Sequence, residues 1–416
     1  MQLSCWDASI TERTSNQLLD MCPVVSSRLP TELWEHIIDL SADDEEDDHH
    51  DRSMRWLGRV CHGWYVRCRL HYDKRIRKRL VDKKQVYRLI SALSEHPERC
   101  HAIKAVLFDF GGKPIGPFGS FAVRMMQKLP QVEQLTLERC TWETGQLPTQ
   151  VFLHVTLAFG SVTKLELFDV IFPSAVVFGR LVRVLPHLSS LKCSSVKFKK
   201  GCHVAGAVRV PGSLRLDTAD LDHSDDVMDF LVLIGAHLCH FTYKGPEPTK
   251  LSELFAVSAE SLLSLSVSYF SYDVWIDLTP AANLRVLSFY CDLDDFTSVA
   301  SLLFLTSLPK LVEITMRSLL PIDYTFVDVQ NSHDLLDNGY FALLDRILSG
   351  KQFPALRKVT FLLHVDVQYG HDVKDAVSEG SWRTLLSSRF PALHASGRLL
   401  SPVTLDVWEP EPRGWD

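Results

Sequence analysis

The chain has 416 residues, with 46% hydrophobic and 23% charged, which is too long for one compact core and too apolar for wholesale disorder. Its net charge is −7, which argues against a protein that coats nucleic acid along its length. Residues 1–22 mix charge with short apolar pieces and show no signal-peptide core, and the longest apolar stretch, near Phe230 to Phe241, is too short for a bilayer. No cysteine pair is spaced C-x-x-C, so neither a zinc ribbon nor a redox pair is indicated, and a reducing cytoplasmic or nuclear setting is expected.

After an extension over 1–27, residues 29–40 read LPTELWEHIIDL, a short helix with Pro30 in its first turn and glutamates toward the positive end of the dipole. Leu33 with Ile37, and Trp34 with Ile38, give it a wide apolar face. Residues 43–51 (DDEEDDHHD) follow as a solvated acidic loop without the glycine and ligand spacing of a calcium site. A second amphipathic segment carries Leu57, Val60, Cys61 and Trp64. Two such helices hold more apolar surface than they bury against each other, so the unit should dock on something else. The basic stretch from Lys74 to Lys84 reads as the exposed face of a helix whose buried side carries Ile76, Leu80, Val86, Tyr87, Leu89 and Ile90. It also has the composition of a nuclear-import signal.

From about residue 101 the texture is a repeat, apolar-x-x-apolar-x-apolar. The middle residues fall at 106, 135, 165, 191, 214, 241, 265, 287, 314 and 359, with a mean spacing of 26 between 106 and 314. Lead-ins such as LPQVEQLTL, LPHLSSLKC and FPALRKVTF mark a helix–turn–strand unit. The long gap before 359 holds an added helix over Tyr340 to Leu348, and PVTLDV from Pro402 to Val407 reads as a last, degenerate strand. The fold class expected is α/β: an N-terminal all-α module over 28–76, a helical linker over 77–100, an irregular leucine-rich-repeat solenoid over 101–408 with a parallel sheet on its concave face, and a tail over 409–416. The glycines at 111, 112, 116 and 119 read as a turn-rich connection, since the prolines at 114 and 117 remove amides that a phosphate loop would use.

Between the apolar positions of each strand, polar residues point outward and line the concave face. Lys164, Glu166, Phe168, Lys192, Arg215, His240, Tyr290 and Lys358 are the candidate contacts for a protein substrate, with Phe168 and Tyr290 as aromatic anchors. No G-x-S-x-G, H-E-x-x-H or phosphate-loop motif occurs, so no catalytic residue, metal site or cofactor is assigned.

Leu29, Pro30, Glu32, Leu33, Trp34, Ile37 and Ile38, followed by Leu57, Val60, Cys61 and Trp64, resemble an F-box. The run LGRVCHGWYVRCRLHYDKRI is similar to F-box proteins expanded in mushroom-forming fungi. The resemblance covers about residues 28–76, and the acidic segment lengthens the loop between its helices. It implies binding to a Skp-type adaptor, assembly into a cullin–RING ubiquitin ligase of the SCF type, and presentation of a protein substrate on the repeat domain. The adaptor-facing residues it implies are Leu29, Pro30, Leu33, Trp34, Ile37, Ile38, Val60, Cys61 and Trp64. No nucleic-acid or membrane partner is expected. The alternative is an interaction scaffold of the same architecture outside any ligase.

Overall fold

The computed structural model describes residues 30–43, 54, 56–80, 82–143, 149–200, 214–245, 250–268, 276–290, 296–320, 340–368 and 379–408. Leu29, the residues after Asp43 in the acidic segment, the N-terminal extension and the tail lie outside them.

Strands recur from one end of this span to the other. They are β1 (Arg75–Arg79), β2 (Ala105–Pro114), β3 (Gln134–Thr141), β4 (Lys164–Phe172), β5 (Ser190–Ser194), β6 (Lys197–Phe198) and β7 (Arg215–Asp222). After them come β8 (His237–Lys244), β9 (Ser264–Ser268), β10 (Val286–Tyr290), β11 (Glu313–Leu320), β12 (Lys358–Gln368), β13 (Leu399–Leu400) and β14 (Val403–Trp408). They form one 14-stranded sheet in nearly sequential order, with β6 added beside β4 and β14 beside β12. Neighbours are parallel. Parallel neighbours need crossovers, and helices such as Gly116–Arg124, Ala175–Arg183 and Asp225–Leu233 supply them. Crossovers of one hand place the helices on one face and leave the other open.

The register shows why the apolar pattern works. Leu135, Leu165, Leu191, Phe241, Leu265, Leu287, Ile314 and Val359 share one row, and all are buried in a single continuous core. The added helix is present as Tyr340–Ser349, and the degenerate last strand as β14.

Three expectations need correcting. In the fifth copy, on β7, the row residue is Ala219, not Leu214: Leu191 pairs with Ala219, which pairs with Phe241. Alanine is too small to stand out as an apolar anchor, so the pattern slid five residues upstream, from 219 to 214. The basic stretch does not form one helix. Arg75–Arg79 is the edge strand β1, in register with Ala105 to Asp109, and the solenoid's sheet therefore begins inside the expected module and linker. Cations alternating with Ile76 suit an edge strand, where one rim faces water. The helix starts only at Lys83, where Asp82 accepts from the Gln85 amide at 2.8 Å and the Gln85 side chain reaches back to the Asp82 amide. Tyr87 is on its exposed side, whereas Val86 and Leu93 are buried. Finally, Gly111 and Gly112 belong to β2, which passes through a register shift between Asp109 and Lys113. Both take positive φ there, at 58° and 79°.

Positive φ recurs immediately after other strand cores. Arg139, Asp169, Ser195 and His223 hold φ values of 49°, 52°, 56° and 46°. The left-handed conformation costs a non-glycine residue about 1 kcal/mol, so the bend after each strand is imposed by the ladder bonds around it. The Ser195 amide donates to the Asp222 carbonyl at 2.8 Å and the His223 amide to Lys244 at 2.7 Å.

Burial also separates the described thiols. It pushes the Cys140 thiol up to about 12, and the Cys193 thiol rises further for the same reason. At pH 8 roughly one Cys140 in ten thousand is then a thiolate. Iodoacetamide followed by peptide mapping is expected to label half-buried Cys61 and Cys239 in the folded protein, and Cys140 and Cys193 only after denaturant is added. Equal labelling without denaturant would contradict this packing.

Candidate functional site

On the open face, residues flanking the buried row form polar columns along the sheet. One column runs Thr136, Glu166, Lys192, Asp220, Thr242, Ser266, Ser288, Thr315, Thr360. Side chains in these columns link strand to strand. Glu166, largely buried, accepts from the Thr136 hydroxyl at 3.0 Å and lies 3.1 Å from the Lys164 ammonium. Lys192 sits over the Phe168 ring at 5.7 Å. Tyr290 carries the Arg317 guanidinium over its ring at 4.9 Å, and Arg317 also donates to the tyrosine hydroxyl. Lys358 bonds Glu313 at 2.6 Å. Such cation-capped aromatics are flat and partly desolvated, which suits a protein contact.

Lys164, Glu166, Phe168, Lys192, His240, Tyr290 and Lys358 therefore lie where the alternation placed them. Arg215 does not. It precedes Leu216 in the position that Ser161 holds before Val162, off the open-face columns, and Thr218, Asp220 and Asp222 take the places expected of it and its neighbours. Arg75, Arg77 and Arg79 were missed as open-face residues, because their strand was read as helix. Arg317, which pairs with Tyr290 in the same column, was missed because only aromatic residues were taken as candidates one step beyond the repeating pattern.

The N-terminal helices, Thr31–Asp43 and His62–Asp73, have a separate small core of Ile38, Ala42, Met54 and Cys68, with Trp34, Leu57 and Trp64 packed against it. Trp34 and Trp64 stack at 6.3 Å. Ile38 is fully buried, so it has no surface to give a partner, and the half-buried tryptophans serve this core first. Leu33 and Ile37, by contrast, are 52% and 44% exposed, and Pro30, Leu40, Val60, Val66 and Leu70 are exposed as well. Cys61 is half-buried.

An ion pair ties the two helices together. The Arg67 guanidinium donates to both Asp39 oxygens, at 2.8 and 2.5 Å, and His71 approaches the same carboxylate at 2.7 Å. The Arg67 bonds outweigh desolvation and, with His71, hold the Asp39 carboxyl well below the usual carboxylate range. Because the folded value is depressed, this contribution is complete above the unfolded carboxylate value of about 3.9 and drains as pH falls from there through the folded value. A carboxyl-carbon NMR titration is expected to show Asp39 still ionised at pH 3, and Arg67→Ala should bring its midpoint back toward the ordinary value. An ordinary midpoint in the wild type would refute the pairing.

Among the described residues, no group of three His, Cys, Asp or Glu side chains is placed to hold a metal ion, and no helix is long and apolar enough to cross a membrane. No family model matches the sequence, and no curated protein does. Among solved structures, the leucine-rich repeat-containing protein LegL7 from Legionella pneumophila aligns with 78% of this chain and 97% of its own, at 12% identity and a TM-score of 0.33. The leucine-rich-repeat-like architecture described here rests on this chain's own strands and register.

Proposed function

We propose that this chain is the non-catalytic substrate-recognition subunit of an SCF-type cullin–RING ubiquitin ligase. In this reading the N-terminal helices bind a Skp-type adaptor, the open sheet face binds a protein substrate, and associated enzymes transfer ubiquitin. The observation that carries it is the exposure of Leu33 and Ile37 on a helix whose sequence, LPTELWEHIIDL, resembles the start of an F-box. Large apolar side chains held out by a module whose core has four residues among the described ones are suited to burial in a partner. The adaptor surface consists of Pro30, Leu33, Ile37 and Val60. Ile38 supports it from inside, and Leu29 completes the motif outside the described residues.

Co-expression with a Skp-type adaptor tests this reading. The wild type should co-purify with it in equal amounts. Leu33→Ala/Ile37→Ala should weaken the complex at least tenfold, since central apolar anchors dominate interfaces. Its melting curve should stay close to that of the wild type, because neither side chain is buried. A well-folded wild type that binds no adaptor would overturn the ligase reading. The second reading, an interaction scaffold, would then stand on the sheet's cation-capped aromatics alone.

A further inference from the structure

Where the N-terminal helices meet the first repeats, a cleft of about 380 Å3 opens. Lys74, Arg75, Lys104 and Lys164 line it with a single carboxylate, Glu133, and with His71. A local cationic excess of this kind stands against a chain whose net charge is −7. The nearby backbone amides are already used: Lys104 donates to Lys74 at 2.7 Å, Glu133 to Lys104 at 2.7 Å, and Thr163 to Glu133 at 2.8 Å. His71 is engaged by Asp39. Recognition in the cleft therefore falls to the ammonium groups, each with three donors.

Lys104 and Lys74 are only lightly held. Lys104 meets Glu133 at 3.1 Å with both side chains more than half exposed, a geometry that contributes little. Lys164 shares Glu166 with Thr136. Lys74 has no carboxylate partner among the described residues. One of the four cations, Arg75, is anchored through its bond to the Ala42 carbonyl at 3.0 Å, which fixes that wall of the cleft to the helical module.

We infer that this cleft is a binding site for a compact dianion, of which a phosphoryl group is the biological type. A lone carboxylate would leave at least one ammonium uncompensated, whereas a phosphoryl group offers two charges and three acceptor oxygens to converging lysines. The inference stands without the ligase reading.

The test is titration of the full chain at pH 7.5 and low salt with inorganic phosphate, and separately with the peptide Gly-Gly-phosphoserine-Gly-Gly and its unphosphorylated twin. Chloride at matched ionic strength is the control for simple screening. Saturable one-to-one binding of a phosphorylated probe is expected, weakened at least tenfold in Lys74→Gln/Lys104→Gln and again in Lys164→Gln. Lys351→Gln, an exposed lysine just before β12, should bind as the wild type does. Tighter binding of inorganic phosphate would identify a free small ligand, and tighter binding of the phosphopeptide a phosphorylated protein segment. No saturable binding of either probe, or folded cleft variants that bind as well as the wild type, would overturn the inference.

Discussion

Phe178→Ala is expected to destabilise the solenoid by about 3–5 kcal/mol, the usual cost of emptying a buried phenylalanine site. Phe178 is fully buried in helix Ala175–Arg183 and joins three elements at once. Its ring meets Phe172 at the end of β4 at 5.4 Å, Phe198 in β6 at 5.4 Å, and Phe230 of the following helix at 5.0 Å with the planes at 90°. Such edge-to-face contacts add to area burial. In a solenoid each repeat touches only its neighbours, so removing this ring loosens the junction between the β4 repeat and those that follow it. Urea denaturation followed by circular dichroism should show the loss, and the transition should broaden as the two sides uncouple. Phe304→Ala is the control: Phe304 is 52% exposed, and its removal should change stability by about 0.5 kcal/mol or less. Equal effects from the two substitutions would mean that the aromatic junction is not where the solenoid is held.

The row of apolar residues was legible because burial on one face forces a repeated pattern whatever the intervening residues are. Leu165, Leu265 and Leu287 could be aligned from sequence alone for that reason. The pattern failed where a row residue is not recognisably apolar, at Ala219, and that slip carried Arg215 onto a face it does not occupy. It failed again at β1, where one buried Ile76 among four cations looks more like a basic helix than a strand. Only pairing with Ala105 to Asp109, supplied by residues thirty positions away, makes it a strand. The left-handed positions had no signature either: Arg139, Asp169, Ser195 and His223 share a backbone conformation and nothing in side-chain chemistry. In the N-terminal helices, the sequence marked a wide apolar face but not its inside. Ile37 and Ile38 are adjacent, about 100° apart around a helix, so one is buried when the other is exposed. Met54 and Cys68, which define the inside, decide between them.

Asp345→Ala is expected to cost about 3 kcal/mol, because it strands two donors that have no other acceptor at hand. Asp345 lies in the added helix Tyr340–Ser349 and is nearly buried. Its two carboxylate oxygens accept from the Ala392 and Leu393 amides, each at 2.9 Å. These are the second and third residues of helix Pro391–Ala395, whose first residue is a proline and has no amide to satisfy. An anion there also meets the positive end of the short helix dipole. The segment that interrupts the repeat spacing thus supplies the cap that ties helix Pro391–Ala395 to helix Tyr340–Ser349, a role no local pattern announces because the partners lie 47 and 48 residues apart. Hydrogen exchange should show the Ala392 and Leu393 amides losing protection in Asp345→Ala, while amides of β3 and β4 keep theirs. Asp345→Asn keeps one acceptor oxygen and loses the charge, so its cost should be about half. If both variants melt with the wild type, the helix is held instead by buried Leu393 and by Phe390, whose ring packs against Phe341 and Phe361, and the carboxylate is incidental.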